Sequence, residues 1–197
     1  MLTKKQKRRI RLERWVRKNP ERALQKSGKY LPHTIFEYCV EQYPREVLRY
    51  EQSCAKLSDD QLYLLAEEYS WVALSYRHAC VRMKATQFDG CVKRYPIIAL
   101  ECEHACARLD DSQFACSIQR FSWKALQYEH SCNRLTDKQF DAYVKKDPWT
   151  LGYKHVCARL TAVQFDDSVK RLSMVYGHMS LTLYQKAWVQ KINPFNS

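Results

Sequence analysis

The sequence predicts an all-α protein: an α-solenoid of the right-handed type, built from about seven two-helix repeats near 26 residues each. Three observations predict it. An apolar residue returns at Leu12, Phe36, Leu62, Phe88, Phe114, Phe140 and Phe165, in steps of 24, 26, 26, 26, 26 and 25 residues. Inside each copy the apolar positions are three and four apart, the spacing of one helical face. Helix-start signals fall at matching places in successive copies. The expected organisation is a basic arm over residues 1–11, a repeat region over 12–172, and a capping helix and tail over 173–197.

The first helix of a copy runs from the marker residue through an apolar residue four further on: Val16, Val40, Ala66, Val92, Ile118, Val144 or Val169. Eight residues on stands Pro20, Pro44, Ser70, Pro96, Ser122, Pro148 or Ser173. Pro fits a helix's first turn, where its missing N–H is no loss, and Ser fits the adjacent cap. A second helix therefore begins there. In the central copy it carries Ala99-Leu100, Cys102, Cys106 and Leu109; in its neighbours Ala73-Leu74, Tyr76, Cys80 and Met83, then Ala125-Leu126, Tyr128, Cys132 and Leu135. The expected lengths are about nine residues for the first helix and about thirteen for the second, too short to be stable alone in water.

The next copy opens on a capping box. Ser58 to Gln61 and Thr136 to Gln139 have its full form, with Asp110 to Gln113 and Thr161 to Gln164 as close variants. Lys84 to Gln87 lacks the first cap, so that turn is expected to be looser. This sequence of an apolar residue, a Val, a Pro or small residue and then Ala-Leu-x-Tyr resembles short helical-hairpin repeat families of bacterial and protist proteins without known function. The likeness runs from residue 12 to about 176. It implies the fold and no activity.

Charge is unevenly placed. Of the net +12, residues 1–29 hold twelve Lys or Arg against two Glu, leaving twenty-one basic and nineteen acidic residues elsewhere. The 46% hydrophobic content excludes a disordered tail, and no apolar run is long enough to span a bilayer, so no membrane is expected. The start, Met1-Leu2-Thr3-Lys4-Lys5, leads into more charge, so no secretory signal is expected. Cys54, Cys80, Cys106, Cys132 and Cys157 recur in register. Equivalent sites on stacked helices are roughly 8–10 Å apart, too far for a disulfide. They are expected to be small core residues in a reducing, intracellular compartment, the nucleus included. Cys102 and Cys106 lack a matching Cys/His pair at zinc spacing, so neither a metal nor another cofactor is expected.

No phosphate-binding glycine loop, serine elbow or helical zinc motif occurs, so no enzyme is expected. Three sets of residues are candidates for binding. The first is the basic segment: Lys4, Lys5, Lys7, Arg8, Arg9, Arg11, Arg14, Arg17 and Lys18, suited to neutralising phosphates. The alternatives are a nuclear-import signal or a solvated tail. The second is a ladder on the second helix: Trp71-His78-Arg82, Ile97-His104-Arg108, Trp123-His130-Arg134 and Trp149-His155-Arg159. Its Trp residues could stack on bases and its Arg residues hold phosphates. The alternative has Trp filling gaps between hairpins, His capping a neighbouring helix and Arg pairing with Glu103 or Glu129. The third is a basic edge on the first helices: Arg17-Lys18, Lys93-Arg94, Arg120, Lys145-Lys146 and Lys170-Arg171.

The reading these features favour is a non-catalytic protein that engages RNA or DNA, alone or in a nucleoprotein complex. The rival is a protein-binding scaffold or inhibitor, of viral or mobile-element origin, that docks along the repeat surface. The positive charge excludes an acidic mimic of nucleic acid.

Overall fold

A computed structural model describes residues 3–176, apart from the side chains of Lys5, Ser27, Val175 and Tyr176. The expected capping segment over 173–197 lies outside the described residues from position 177 onward.

The protein is all-helical, with no strand among the described residues. The first copy holds α1 (Lys4–Lys18), α2 (Pro20–Ser27) and a 3-10 turn (Gly28–Tyr30). The second holds α3 (His33–Gln42), α4 (Pro44–Arg49) and α5 (Glu51–Cys54). Then come α6 (Asp59–Glu68), α7 (Ser70–Ser75) and α8 (Arg77–Arg82), followed by α9 (Ala85–Arg94), α10 (Pro96–Glu101) and α11 (Glu103–Cys106). The fifth copy holds α12 (Asp111–Arg120), α13 (Ser122–Gln127) and α14 (Glu129–Cys132). The sixth holds α15 (Asp137–Lys146), a 3-10 helix (Pro148–Gly152) and α16 (Lys154–Arg159), and α17 (Ala162–Tyr176) opens the last. The chain forms two compact units, one through Ala105 and one from Cys106.

The first helices α3, α6, α9, α12 and α15 are ten residues each, close to the expected nine. The capping boxes at Ser58, Asp110, Thr136 and Thr161 all form. The turn at Lys84 is not looser. Its φ of −65° and ψ of 159° match the −66° and 163° of Ser58. Lys has no acceptor to offer, but Gln87 Oε1 still receives the Lys84 N–H at 2.8 Å, and half the box holds the turn.

The thirteen-residue second helix is a correction. It is broken in two by one extended residue: Tyr50, Tyr76, Cys102, Tyr128 or Tyr153, with φ between −92° and −109° and ψ between 115° and 129°. Each such copy therefore has three helical segments rather than two. A break frees the carbonyls of the preceding turn. In the repeats these are taken up by side chains, several of them one copy ahead.

The core follows the predicted pattern. In the fifth copy Phe114, Ile118, Ala125, Leu126, Cys132 and Leu135 are all buried. Cys54, Cys80, Cys106, Cys132 and Cys157 are buried, and every cysteine is a free thiol. Burial pushes the Cys39 thiol up to about 11 and raises those of Cys54, Cys91, Cys106 and Cys132 in the same direction. Gly28 is needed for a close approach. A Cβ there would lie 2.3 Å from Ser53 Oγ, and that hydroxyl is buried and donates to the Leu24 carbonyl at 2.9 Å.

Candidate nucleic-acid interface

The basic segment is helical almost from its start. Thr3 Oγ1 accepts the Gln6 N–H at 3.2 Å, and Gln6 Oε1 accepts the Thr3 N–H at 2.8 Å. This is the Thr-x-x-Gln box of Thr136 and Thr161 again. At the far end the Asn19 N–H donates to the Trp15 and Val16 carbonyls, and Pro20 opens the next helix. The fifteen-residue α1 is thus five residues longer than its ten-residue counterparts, and the extra turns carry charge.

One side of α1 is tied to the body. Val16 is fully buried, and Ile10 and Leu12 are half-buried. Arg9 Nε donates to Glu13 at 2.9 Å and its Nη2 to Thr34 Oγ1 at 3.2 Å. Arg17 lies over the Tyr38 ring at 5.1 Å. Arg9 and Arg17 therefore serve contacts inside the protein rather than the free face.

The opposite side is different. Lys4, Arg8, Arg11, Trp15 and Lys18 follow each other at steps of four, three, four and three, one continuous stripe on an α-helix. Lys7 and Arg14 flank it. All six of these cations are exposed, and none has an ion pair or side-chain hydrogen bond among the described residues. Trp15 is 38% exposed in their midst. The side chain of Lys5 lies outside the described residues.

The basic edge on the later first helices is largely neutralised. Lys93 pairs with Asp89 at 2.6 Å and Lys145 with Asp141 at 2.7 Å, each four residues back, and Arg171 pairs with Asp167 at 3.0 Å. The Lys145 hydrogen bond, with a second from Gln164, holds the Asp141 carboxyl below its ordinary range. Arg94 donates to the Glu67 carbonyl and to Ser70 Oγ, and Arg120 lies over the Phe121 ring. Lys146 and Lys170 are exposed.

The His and Arg residues of the ladder make contacts within the protein. His78, His104 and His155 contact, through Nε2, the carbonyls of Leu48, Leu74 and Leu126 at 2.8, 2.8 and 2.7 Å. Those are carbonyls that the breaks free in the preceding copy. The ring of His78 stacks on Tyr76, that of His130 on Tyr128 and that of His155 on Tyr153, each Tyr being the extended residue two positions earlier. The arginines cap the end of the preceding copy. Arg82 donates to the Cys54 and Leu57 carbonyls, Arg134 to those of Cys106 and Leu109, and Arg159 to those of Cys132 and Leu135. Lys56 holds the same register in the second copy and reaches the Leu31 carbonyl. Arg108 is half-buried like these. The acidic partners are Asp59, Asp111 and Asp137 rather than Glu103 or Glu129. Trp71, Trp123 and Trp149 stay 40–55% exposed, and Trp71 lies under Arg45 of the preceding copy.

A further link between copies was not read from the sequence. Gln61 Nε2 donates to the Glu37 carboxylate and Gln164 Nε2 to Asp141, each one copy back. At Gln87 that register is held by Tyr63, and Gln87 Nε2 is buried without a partner among the described residues. A cleft of about 130 Å³ opens beside it, lined by Tyr63, Glu67, Gly90 and Arg94 among others.

Among the described residues no helix is long and apolar enough to cross a membrane, and no three His, Cys, Asp or Glu are grouped to hold a metal. Searches against known family models, curated proteins and solved structures found no match to this chain.

Proposed function

We propose that this is a non-catalytic helical-repeat protein that binds RNA or DNA through the exposed basic face of α1. The observation that carries this is the stripe of Lys4, Lys7, Arg8, Arg11, Arg14 and Lys18, six cations on one side of one helix with no carboxylate partner among the described residues. A row of unpaired cations on a rigid helix suits a backbone of phosphates, whose counterions it displaces. Lys146 and Lys170 extend the reading to a weaker edge on later copies. About seven copies stacked as a right-handed solenoid belong to the same reading. The bonds from His, Arg and Gln to the preceding copy support the stacking of copies within each unit, because they recur at one register. Nine free thiols support a reducing, intracellular setting.

The test is a gel-shift titration with mixed-sequence RNA and DNA at two salt concentrations. If all six cations contact phosphates, affinity should fall by about 300- to 2,000-fold between 50 and 200 mM salt, from a slope of about 0.7–0.9 per contact. The double variant Lys4→Glu/Arg8→Glu should weaken binding and flatten that slope while leaving the helical circular dichroism intact. No binding at low salt, or unchanged binding by the double variant, refutes the proposal.

The half-exposed Trp71, Trp123 and Trp149 favour a second reading, docking of a protein partner on the repeat surface. In that case Trp123→Ala would abolish partner capture, and charge reversal on α1 would not.

A further inference from the structure

We infer that the α1 face takes single-stranded rather than duplex nucleic acid, with an unpaired base stacked on Trp15. The inference rests on the nucleic-acid reading and names its substrate class.

The argument begins with the place of the indole. Trp15 stands inside the cationic stripe, with Arg11 four residues before it, Lys18 three after, Arg8 seven before and Arg14 beside it. A base held there has its phosphates within reach of cations on either side. That combination of a basic track with an interleaved aromatic is how sequence-tolerant single-strand sites work, because every base offers a π-face. A duplex keeps its bases stacked inside and presents mainly backbone, for which an indole in the centre of the contact adds little.

The ring is also unoccupied by the protein. Trp71 lies under Arg45 and Trp123 under Lys124. Trp15 has no cation or ring over it among the described residues, although basic side chains surround it in sequence. Its backbone is fixed, since the Trp15 carbonyl accepts from both the N–H and the Nδ2 of Asn19 at 2.9 and 3.1 Å. The part-exposed indole is thus presented from a fixed backbone position.

An anionic membrane is the other polyanion a basic helix could meet. An interfacial helix needs a free apolar face to insert. In α1 the apolar side chains Val16, Ile10 and Leu12 are turned into the body, and the free face offers one aromatic. The geometry therefore favours single strands.

The experiment uses the full chain and three probes: fluorescein-labelled oligo(dT) and oligo(U) 15-mers, and a 15-base-pair DNA duplex, all at one salt concentration. Wild type should bind the single strands more tightly than the duplex. Trp15→Leu keeps an apolar side chain but cannot stack. Its single-strand to duplex affinity ratio should fall about 5- to 150-fold, the range for one lost base stack. Trp15→Phe should recover most of that ratio, which a merely structural role for Trp15 would not produce. Circular dichroism on both variants checks the fold. Binding of duplex as tight as single strands, or an unchanged ratio in Trp15→Leu, overturns the inference while leaving nucleic-acid binding in place. Binding to none of the three probes overturns the nucleic-acid reading itself. Preferential binding to phosphatidylserine vesicles over all three probes overturns both and assigns the face to a lipid surface.

Discussion

Arg134 gives the sharpest test of what the repeated arginine does. Its Nη2 donates to the Leu109 carbonyl at 3.0 Å and its Nη1 to the Cys106 carbonyl, while the guanidinium lies over the Phe114 ring at 4.3 Å. The side chain is 26% exposed, and Asp111, its ion-pair partner at 3.6 Å, is fully exposed. That ion pair is worth almost nothing. Each hydrogen bond from a charged donor is worth roughly 1.5–3 kcal/mol at full burial, and the ring contact about 0.5–1 kcal/mol. The Cys106 carbonyl also keeps the Leu109 N–H at 3.2 Å, so only part of its satisfaction is lost. With the quarter exposure taken into account, Arg134→Ala should cost about 2–4 kcal/mol. For a chain of this size that lowers the melting temperature by roughly 5–15 °C.

Thermal and urea unfolding followed by far-ultraviolet circular dichroism measures it. Arg134→Lys should fall between wild type and Arg134→Ala, because Lys56 at the same register reaches one carbonyl, that of Leu31, and covers the Phe36 ring at 4.7 Å. The folded Arg134→Ala protein should keep its nucleic-acid affinity within about a factor of two, since surface changes away from the contact rarely do more. Unchanged stability together with weakened binding would refute the reasoning and return the ladder to the role of a ligand surface.

Two further outcomes follow from unpaired or shifted groups. Tyr63→Gln supplies an amide oxygen where Glu37 serves Gln61, without adding charge beside Asp59, Asp60 and Glu67, so it should satisfy Gln87 Nε2 and raise stability by about 1 kcal/mol; a lower urea midpoint would contradict this. The raised thiols act on pH dependence in one direction. Cys39 titrates near 9 when unfolded and about 11 when folded, so the folded state holds more protons between these values and stability is full below pH 9 and falls above it. Cys54, Cys91, Cys106 and Cys132 shift the same way, and the drop in melting temperature from pH 8.5 to 10.5 should shrink in Cys39→Ala.

The repeat was legible because its signals are local. The capping box, the Pro or Ser at the turn and the three-and-four spacing are all settled within a dozen residues. The break at Tyr76 was not, because Ala73, Tyr76 and Cys80 keep the spacing of an unbroken helix. What stabilises the break is distant: His104, thirty residues on, takes the Leu74 carbonyl. The neutralised basic edge could have been read from the chain, since Asp89, Asp141 and Asp167 stand four residues before Lys93, Lys145 and Arg171. The early start of α1 was equally visible in Thr3 and Gln6, the same box as Thr136 and Gln139.

The cations of this protein meet two fates, and the contrast bears on α1. Arg82, Arg94, Arg134 and Arg159 donate to carbonyls, and Lys93, Lys145 and Arg171 donate to aspartates. The carbonyl contacts satisfy backbone acceptors, and the aspartate pairs put opposite charges four apart, the favourable arrangement on a helix. The helices α6, α12 and α15 likewise open on Asp59, Asp111 and Asp137, the sign a helix N-terminus favours. In α1 the rule is inverted. Its first turn holds no acid and begins with Lys4 and Lys5, at the end where a cation costs about 0.3–1 kcal/mol. Lys4 with Arg8, Lys7 with Arg11, and Arg14 with Lys18 are like charges four apart, each unfavourable by a few tenths of a kcal/mol. A solvated face chosen for stability would have mixed its signs, as the later first helices do. A face that accumulates strain of one sign loses it on meeting the opposite charge. The helices α3 and α9 also lack an acid in the first turn, and α9 has Lys84 at its cap, but α1 adds to this a run of like charges four apart on its exposed face. A surface that gives up local stability in this way is where a binding function is expected to stand.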